Sequence, residues 1–247
     1  MNNCLEHTHQ IFFEISNMCN KHCVKCPRNF SERKNNNRFG MLSTEVFCKT
    51  IDELKEHNYI GDIGFSLYNE PIMDPRLFSL IKYTKDTLDN NCRTHIVSNG
   101  HYIDQQMLDE LTLIGVDILW ISAYTQKEID RCNALKSNIS EFRVLNRLTE
   151  PQRNIYNSYT REIISCSEPC YAPLNLLSID YNGNVLLCCL DYESRHIFGN
   201  IYDESLIDII QKDEVQELYK QLTQGERHLD MCLRCGTHIH IPKYYIK

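Results

Sequence analysis

Short apolar runs alternate with longer, helically periodic segments over the first 150 residues of the chain. The apolar runs predict about five strands, at residues 11–16, 61–67, 93–97, 117–122 and 142–145. The periodic segments between them predict helices over residues 44–57, 75–88 and 104–114. Strands that alternate with helices are typical of parallel sheets. Because about five strands cannot close an eight-stranded barrel, we expect an α/β fold in the form of an open, partial TIM-like barrel.

The pattern of apolar positions changes after Pro151. Residues 176–180 and 184–189 predict two strands, and the Asn182-Gly183 pair between them is typical of a hairpin. A single helix is predicted over residues 206–222, where the apolar positions are spaced for one face. The last third therefore indicates a small hairpin-plus-helix module.

A length of 247 residues lies between one and two domains of ordinary size. We expect a barrel core over residues 1–155 and the module over residues 156–247. With 26 Lys and Arg against 33 Asp and Glu, the formal net charge is −7, which disfavours binding to nucleic acid or to an anionic membrane. No uncharged apolar run approaches the ~18–20 residues that span a bilayer. The first residues show no basic segment before an apolar stretch, so we expect a cytoplasmic protein without a signal peptide.

Thirteen cysteines are an odd number and many for a chain of this kind, so metal binding is favoured over disulfides. Cys19, Cys23 and Cys26 follow the first predicted strand with the spacing C-x3-C-x2-C. Three thiolates at this spacing can ligate three irons of a [4Fe–4S] cube and leave the fourth iron open to a small molecule. A zinc site with His22 as the fourth ligand is the alternative.

A second set of four cysteines lies in the last third of the chain: Cys170, Cys188, Cys232 and Cys235. Four thiolates can ligate every iron of a further iron–sulfur cube. A structural zinc site is the competing interpretation, and there His238 or His240 can replace a cysteine.

Three motifs, each after a predicted strand, together resemble those of the radical S-adenosylmethionine (SAM) enzymes: the first cysteine set, Tyr68-Asn69-Glu70-Pro71 and Ser98-Asn99-Gly100. The resemblance implies that SAM chelates the open iron and is cleaved to a 5′-deoxyadenosyl radical, which abstracts hydrogen from the substrate. It also implies SAM-binding roles for five residues of these motifs and for the methylene stem of Lys25. These five are Tyr68, Asn69, Glu70, Ser98 and Asn99. The second motif usually reads Gly-Gly-Glu-Pro in that family, so both of its glycines are replaced here.

The last third is similar to the auxiliary-cluster extensions of the same family, in the shortened, one-cluster form of the SPASM domain that is called Twitch. This resemblance implies two [4Fe–4S] clusters, bound SAM, and an external one-electron reductant such as flavodoxin or ferredoxin. It further implies a small-molecule substrate, with a carbohydrate or cyclitol favoured. In such an enzyme the second cluster accepts an electron while an alcohol is oxidised to a ketone.

The group that takes or orients the hydroxyl proton in that oxidation is expected near the late strands. Four candidates lie in that part of the sequence: Tyr124, Arg143, Arg147 and Arg153. Three alternatives stay open. One is an epimerase of a sugar, nucleoside or peptide, with Cys189 or Cys166 as the hydrogen donor. The others are a peptide-modifying enzyme and a non-catalytic iron–sulfur electron carrier or sensor.

Overall fold

The computed structural model describes residues 5–23, 26–30, 39–148, 162–163 and 167–235. Its strands, in chain order, are β1 Gln10–Phe13, β2 Asp62–Gly64, β3 Arg93–Ser98, β4 Ile118–Ala123, β5 Glu141–Asn146, β6 Leu176–Ile179, β7 Asn184–Leu186 and β8 Ile197–Asn200. They form one sheet in the order β5-β4-β3-β2-β1-β6-β7-β8. The five predicted strands before residue 150 are all present, and the sheet ends at β5 and β8 without closing, which confirms the open, partial barrel.

Helices lie between the parallel strands along the chain and also follow β8. They are α1 Pro27–Phe30, α2 Thr44–Glu56, α3 Leu77–Leu88, α4 Gln105–Leu113, α5 Gln126–Asn133, α6 Ala172–Asn175, α7 Leu206–Gln211, α8 Asp213–Thr223 and α9 Asp230–Arg234. Side-chain caps fix several of their starts, because each accepts a hydrogen bond from an otherwise unpaired backbone N–H. Asp104 accepts one from Met107 at the start of α4, and Ser205 accepts one from Asp208 in α7. None of the helices in the described ranges has both the length and the apolar character needed to cross a bilayer.

The register of the parallel strands decides which side chains face the helices and which face the barrel interior. Phe13 of β1 packs against Phe47 of α2, with ring centroids 4.9 Å apart, so that its neighbour Phe12 points to the opposite face. Phe12 pairs with Gly64 and packs edge-on against His95, which puts these residues on the inner side. Gly64 has no Cβ to collide with the Phe12 ring, and the ring therefore leans over β2.

The module after residue 167 continues the sheet of the barrel. β6 pairs in parallel with β1, from Gln10↔Leu176 to Phe13↔Ile179. β7 then adds in antiparallel fashion, as the Asn182-Gly183 hairpin predicts, and Gly183 takes the left-handed conformation (φ +83°) that the turn requires. β8, a strand that was not predicted from the sequence, pairs antiparallel with β7. The predicted boundary at residue 155 lies outside the described residues, and the sheet itself runs on from one part to the other.

The single helix predicted over residues 206–222 is wrong. Two helices, α7 and α8, meet at Lys212, whose backbone is extended (φ −55°, ψ 137°). The Lys212 ammonium donates to Glu204 (2.7 Å) and to the Phe198 carbonyl (2.9 Å), which holds the break in place. A gap of five residues between the apolar positions Ile210 and Val215 marks this break in the sequence, because five is out of step with a helical repeat.

Candidate active site

The first cysteine loop leads from the end of β1 to α1 and carries Cys19, Cys23 and Cys26 as free, half-buried thiols. Residues of α1 fix its backbone: Arg28 Nη1 donates to the Cys19 carbonyl (3.2 Å) and Asn29 Nδ2 to the Cys23 carbonyl (2.9 Å). Burial, with a smaller contribution from the charges of the other two cysteines, raises the pKa of Cys26 to about 11. The three thiols lie on one loop, where a cationic iron cluster would favour the thiolate form.

Glu70 connects the loops that follow β2 and β3. Its carboxylate is buried (1% exposed) and accepts hydrogen bonds from Ser98 Oγ (2.7 Å) and from the Asn99 backbone N–H (2.6 Å). Its own N–H donates to the Met18 carbonyl at 2.7 Å, so the same residue also holds the start of the cysteine loop. Burial raises the pKa of Glu70, although the hydrogen bonds from Asn99 and Ser98 oppose this. The side chain of Glu70 therefore organises the site from within.

Asn99 extends this network to the cysteines themselves. Its Nδ2 donates to Asn20 Oδ1 at 2.8 Å and lies 3.8 Å from Cys19 Sγ. Gly100 follows with a positive φ of +72°, and a Cβ there would come within 2.5 Å of Ile121. Only glycine combines this backbone angle with such a close approach, so the Ser98-Asn99-Gly100 motif is constrained by the geometry of the turn.

Tyr68 and Asn69 stand where the family has two glycines, and their contacts explain why the turn forms without them. Asn69 Oδ1 accepts from the Leu67 N–H (2.9 Å) while its Nδ2 donates to the Phe65 carbonyl (3.2 Å), so the side chain closes the turn. Neither residue has a positive φ; among the described non-glycine residues this occurs at Asn58, Asp89 and Ser194. The Tyr68 hydroxyl donates to the Cys189 carbonyl at 2.5 Å and thereby joins this loop to the module.

Lys21, inside the cysteine loop, reaches the segment that follows β4. Its ammonium lies 2.7 Å from Glu128 Oε1 and 4.9 Å from the ring centroid of Tyr124. Glu128 Oε2 also accepts from the backbone N–H groups of Tyr124 (2.8 Å) and Thr125 (3.1 Å), in a capping box that starts α5. Burial opposes ionisation of Glu128, but these hydrogen bonds, led by that from Lys21, hold its pKa below the usual value.

The candidates for proton transfer occupy different environments. Tyr124 is 42% exposed, yet desolvation around its hydroxyl and the charge of Cys23 raise its pKa to about 12, which makes it a hydrogen-bond donor at neutral pH. Arg147 Nε donates to Ser122 Oγ (3.2 Å) at the carboxyl ends of β4 and β5. Arg143 instead pairs with Glu141 (2.9 Å) and lies over the Trp120 ring. Lys25, Arg153 and Cys166 lie outside the described ranges.

The four cysteines of the last third come together around one cavity. Cys170, Cys188, Cys232 and Cys235 all line it, together with apolar side chains and Arg227. Cys188 and Cys232 are buried, and burial, together with the charges of Cys170 and Cys235, raises the pKa of Cys232 to about 12. The Cys170 N–H donates to the Leu222 carbonyl (2.7 Å), which ties the first of the four to the end of α8.

The four thiols around this cavity meet the ligand count of an iron–sulfur cube. Within the described ranges, no group of three or more His, Cys, Asp or Glu side chains is placed to hold one metal ion. A zinc ion needs its thiolates within about 2.3 Å of one centre, whereas a [4Fe–4S] cube takes one thiolate at each iron and so keeps them further apart. His238 and His240, the substitute zinc ligands, lie outside the described residues.

An open parallel barrel with three cysteines at its carboxyl edge, joined to a four-cysteine module, defines a radical SAM enzyme. Residues 13–140 match the model of the radical SAM superfamily, and residues 170–236 match that of the SPASM iron–sulfur cluster-binding domain. Because the first match spans more than half of the chain, the chain belongs to the radical SAM superfamily. The predicted cofactors, SAM and iron–sulfur clusters, are confirmed at this level, and the assignment of individual ligands stays a prediction.

Similar proteins support the same architecture over nearly the full length. The S-adenosyl-L-methionine-dependent 2-deoxy-scyllo-inosamine dehydrogenase of Niallia circulans is 23% identical over 241 residues, covering 90% of each chain. The solved structure of BtrN in complex with AdoMet and 2-DOIA matches with a TM-score of 0.78 at 24% identity and covers 94% of each chain. The structure of anSMEcpe with bound AdoMet and the Cp18Cys peptide matches with a TM-score of 0.57 at 13% identity, covering 93% of this chain and 86% of that one.

Two features of the site were missed in the sequence. The first is the contact between Lys21 and Glu128, which are 107 positions apart and therefore show no common periodicity in the sequence. The sequence does contain a capping-box motif, Thr125-x-x-Glu128, which predicts the start of α5. Arg227 follows α8 and looks like an ordinary surface cation in the sequence, but it is buried in the wall of the cysteine cavity.

Proposed function

We propose that this enzyme oxidises a secondary alcohol of a small polar substrate, carbohydrate- or cyclitol-like, to a ketone. The observation that carries the proposal is the set of four thiols around one cavity. A cube held there would have a protein ligand at every iron and no position for a substrate, which leaves electron transfer as its use. The near full-length similarity to the Niallia circulans dehydrogenase supports this choice of reaction.

When bound, the first cluster and SAM supply a radical that removes hydrogen from carbon, and the second cluster supplies an acceptor for one electron. The residues that would hold these groups are the two cysteine sets. Glu70, Ser98 and Asn99 join the loops after β2 and β3 by hydrogen bonds of 2.6–2.7 Å. They would thereby present the backbone of the Tyr68-Asn69 turn to the polar end of SAM.

The substrate would lie over the carboxyl ends of the late strands. Tyr124 keeps its proton at neutral pH and can donate a hydrogen bond to a substrate oxygen. Arg147, anchored on Ser122, offers a fixed guanidinium beside it. An arginine orients a hydroxyl but does not deprotonate it, so the roles proposed for Arg147 and Arg153 are orientation of the reacting hydroxyl. The electron for each SAM cleavage would come from an external carrier such as flavodoxin or ferredoxin.

The experiment that tests this proposal is turnover by anaerobically reconstituted enzyme with a strong reductant and a panel of aminated sugars and cyclitols. We expect 5′-deoxyadenosine together with a product two hydrogens lighter than its substrate. The matched control is a variant with Cys19, Cys23 and Cys26 all changed to alanine, which should form neither. Formation of 5′-deoxyadenosine with every substrate and of ketone with none would refute the proposed oxidation.

An epimerase is the second candidate, because one contact brings a spare thiol residue to the SAM loop. Cys189 is half-buried beside Cys188, and its carbonyl accepts the Tyr68 hydroxyl. An epimerisation in deuterated water adds one mass unit to the product, whereas the oxidation removes two hydrogens. A Cys189→Ala variant that still forms the ketone would exclude this thiol from the reaction. Loss of deuterium incorporation in the same variant would favour the epimerase.

A further inference from the structure

Arg227 lies in the wall of the cavity that the four module cysteines surround. It follows α8 and is only 7% exposed, which is rare for a guanidinium. Its Nε and Nη2 both donate to the carbonyl of Glu168, at 3.2 and 3.1 Å. No carboxylate in the described part of the chain forms an ion pair with it. The arginine is therefore a buried cation whose protein partner is a neutral carbonyl.

A buried charge without a counter-charge is unfavourable, because the interior does not replace the hydration that the ion loses. The polar side chains that line the cavity with Arg227 are the four thiols, and the rest of its lining is apolar. Asp191, the nearby buried carboxylate, is bound by the backbone N–H groups of Arg195 (3.0 Å) and His196 (2.9 Å). Arg227 thus shares its cavity with the four cysteines and with whatever they bind.

We propose that Arg227 is the counter-charge of the second cluster and raises its reduction potential, so that the cluster can accept an electron from the substrate radical. A cube with four thiolates carries a net negative charge that grows by one on reduction, and a fixed cation beside it favours the reduced form. The Leu190 N–H, 3.4 Å from Cys188 Sγ, acts in the same direction, since hydrogen bonds to the ligand sulfurs also raise the potential.

The inference rests on the proposed oxidation. There, a substrate radical formed by loss of a hydrogen atom to the 5′-deoxyadenosyl radical would give up its hydroxyl proton to solvent water and one electron to the oxidised second cluster. The products are the ketone and a cluster reduced by one electron. Arg227 does not touch the substrate in this scheme, and its effect is on the last electron transfer.

The test measures the cluster itself. In the background where Cys19, Cys23 and Cys26 are alanine, only the second cluster is loaded, and its midpoint potential can be followed by EPR during a redox titration. Arg227→Gln keeps a donor for the Glu168 carbonyl but removes the charge, whereas Arg227→Lys keeps both. We expect a lower potential in the glutamine variant and a potential near the parent value in the lysine variant. The control is Arg195→Gln, which removes an exposed cation of the same module and should leave the potential unchanged because water and salt screen it.

Each possible result either supports or overturns the proposed role of Arg227. If the glutamine variant takes up no iron while the lysine variant does, the charge is needed to hold the cluster and the proposal stands. If both variants lose the cluster, or both shift its potential equally, Arg227 serves only to clamp Glu168 and the proposal falls. An unchanged potential in the glutamine variant overturns it as well. If the glutamine variant has a lower cluster potential but the wild-type enzyme forms no ketone, the proposed oxidation is refuted and the proposed role of Arg227 stands.

Discussion

The two cysteine sites of this molecule are built in opposite ways. The first is a half-exposed loop with three thiols, held by polar contacts from Arg28, Asn29 and Asn99. The second is a cavity lined by four thiols, apolar side chains and the Arg227 guanidinium. The difference indicates a division of labour: an open site keeps a coordination position for a small molecule, while a closed site can exchange only electrons.

The largest effect is expected when the open site is removed. Changing Cys19, Cys23 and Cys26 to alanine should abolish 5′-deoxyadenosine formation and lower the content from about 8 to about 4 iron per chain. Iron and sulfide analysis after anaerobic reconstitution measures this directly. Cys48→Ala on α2, outside both sets, is the control and should retain the full iron content. If the triple variant binds only zinc, the closed site is a structural zinc site, and the proposed contrast between two iron–sulfur sites is wrong.

Removing the closed site should uncouple SAM cleavage from formation of the ketone without preventing SAM cleavage. In a Cys232→Ala/Cys235→Ala variant, we expect SAM cleavage to continue while the ketone falls by about 100-fold or more, because the substrate radical has lost its electron acceptor. The ratio of 5′-deoxyadenosine to ketone reports this effect. Equal amounts of the two in the variant would show that the second cluster takes no part in the oxidation.

The apolar wall of the closed site should matter for stability. Leu187 is buried (1% exposed) in that wall, and Leu187→Ala is expected to cost about 2–5 kcal/mol in the free energy of unfolding, through lost burial and the space left behind. Denaturant unfolding measures the cost, and release of iron to a chelator should be faster. Ile197→Ala, at an exposed position of β8, is the control, with a change of about 0.5 kcal/mol.

The polar contacts of the open site should affect activity more than stability. Glu128→Gln removes the charge that pairs with Lys21 but keeps a side chain that can cap α5. The side chains of Lys21 and Glu128 are 19% and 22% exposed, and a pair that still reaches solvent contributes about 0–1 kcal/mol, so the free energy of unfolding should change little. We expect the rate of SAM cleavage to fall several-fold because the cysteine loop loses an anchor. Thr125→Ala, which removes the cap and leaves Lys21 in place, should show the reverse: lower stability and normal cleavage.

The sequence predicts the open site better than the closed one. C-x3-C-x2-C, Glu70-Pro71 and Ser98-Asn99-Gly100 are short motifs after strands, and parallel strands bring their carboxyl ends to one edge. The sequence does not reveal what two of these residues contact. The Glu70 carboxylate accepts a hydrogen bond from the Asn99 backbone, and the Tyr68 hydroxyl donates to the Cys189 carbonyl in the module. The closed site depends on Cys170 and Cys232, which are far apart in sequence, and the burial of Arg227 follows from packing that no local pattern encodes.

The pairing of β1 with β6 also has a consequence for how the chain reaches its native state. Gln10 and its partner Leu176 are 166 positions apart. At 5–20 residues per second, ribosomal synthesis leaves that edge of β1 without its neighbour for roughly 8–30 s. An unpaired strand edge is a template for aggregation, and distant parallel pairing is slow to form. The segment that carries the second cluster is thus also the part of the chain that covers the vulnerable edge of the newly made barrel.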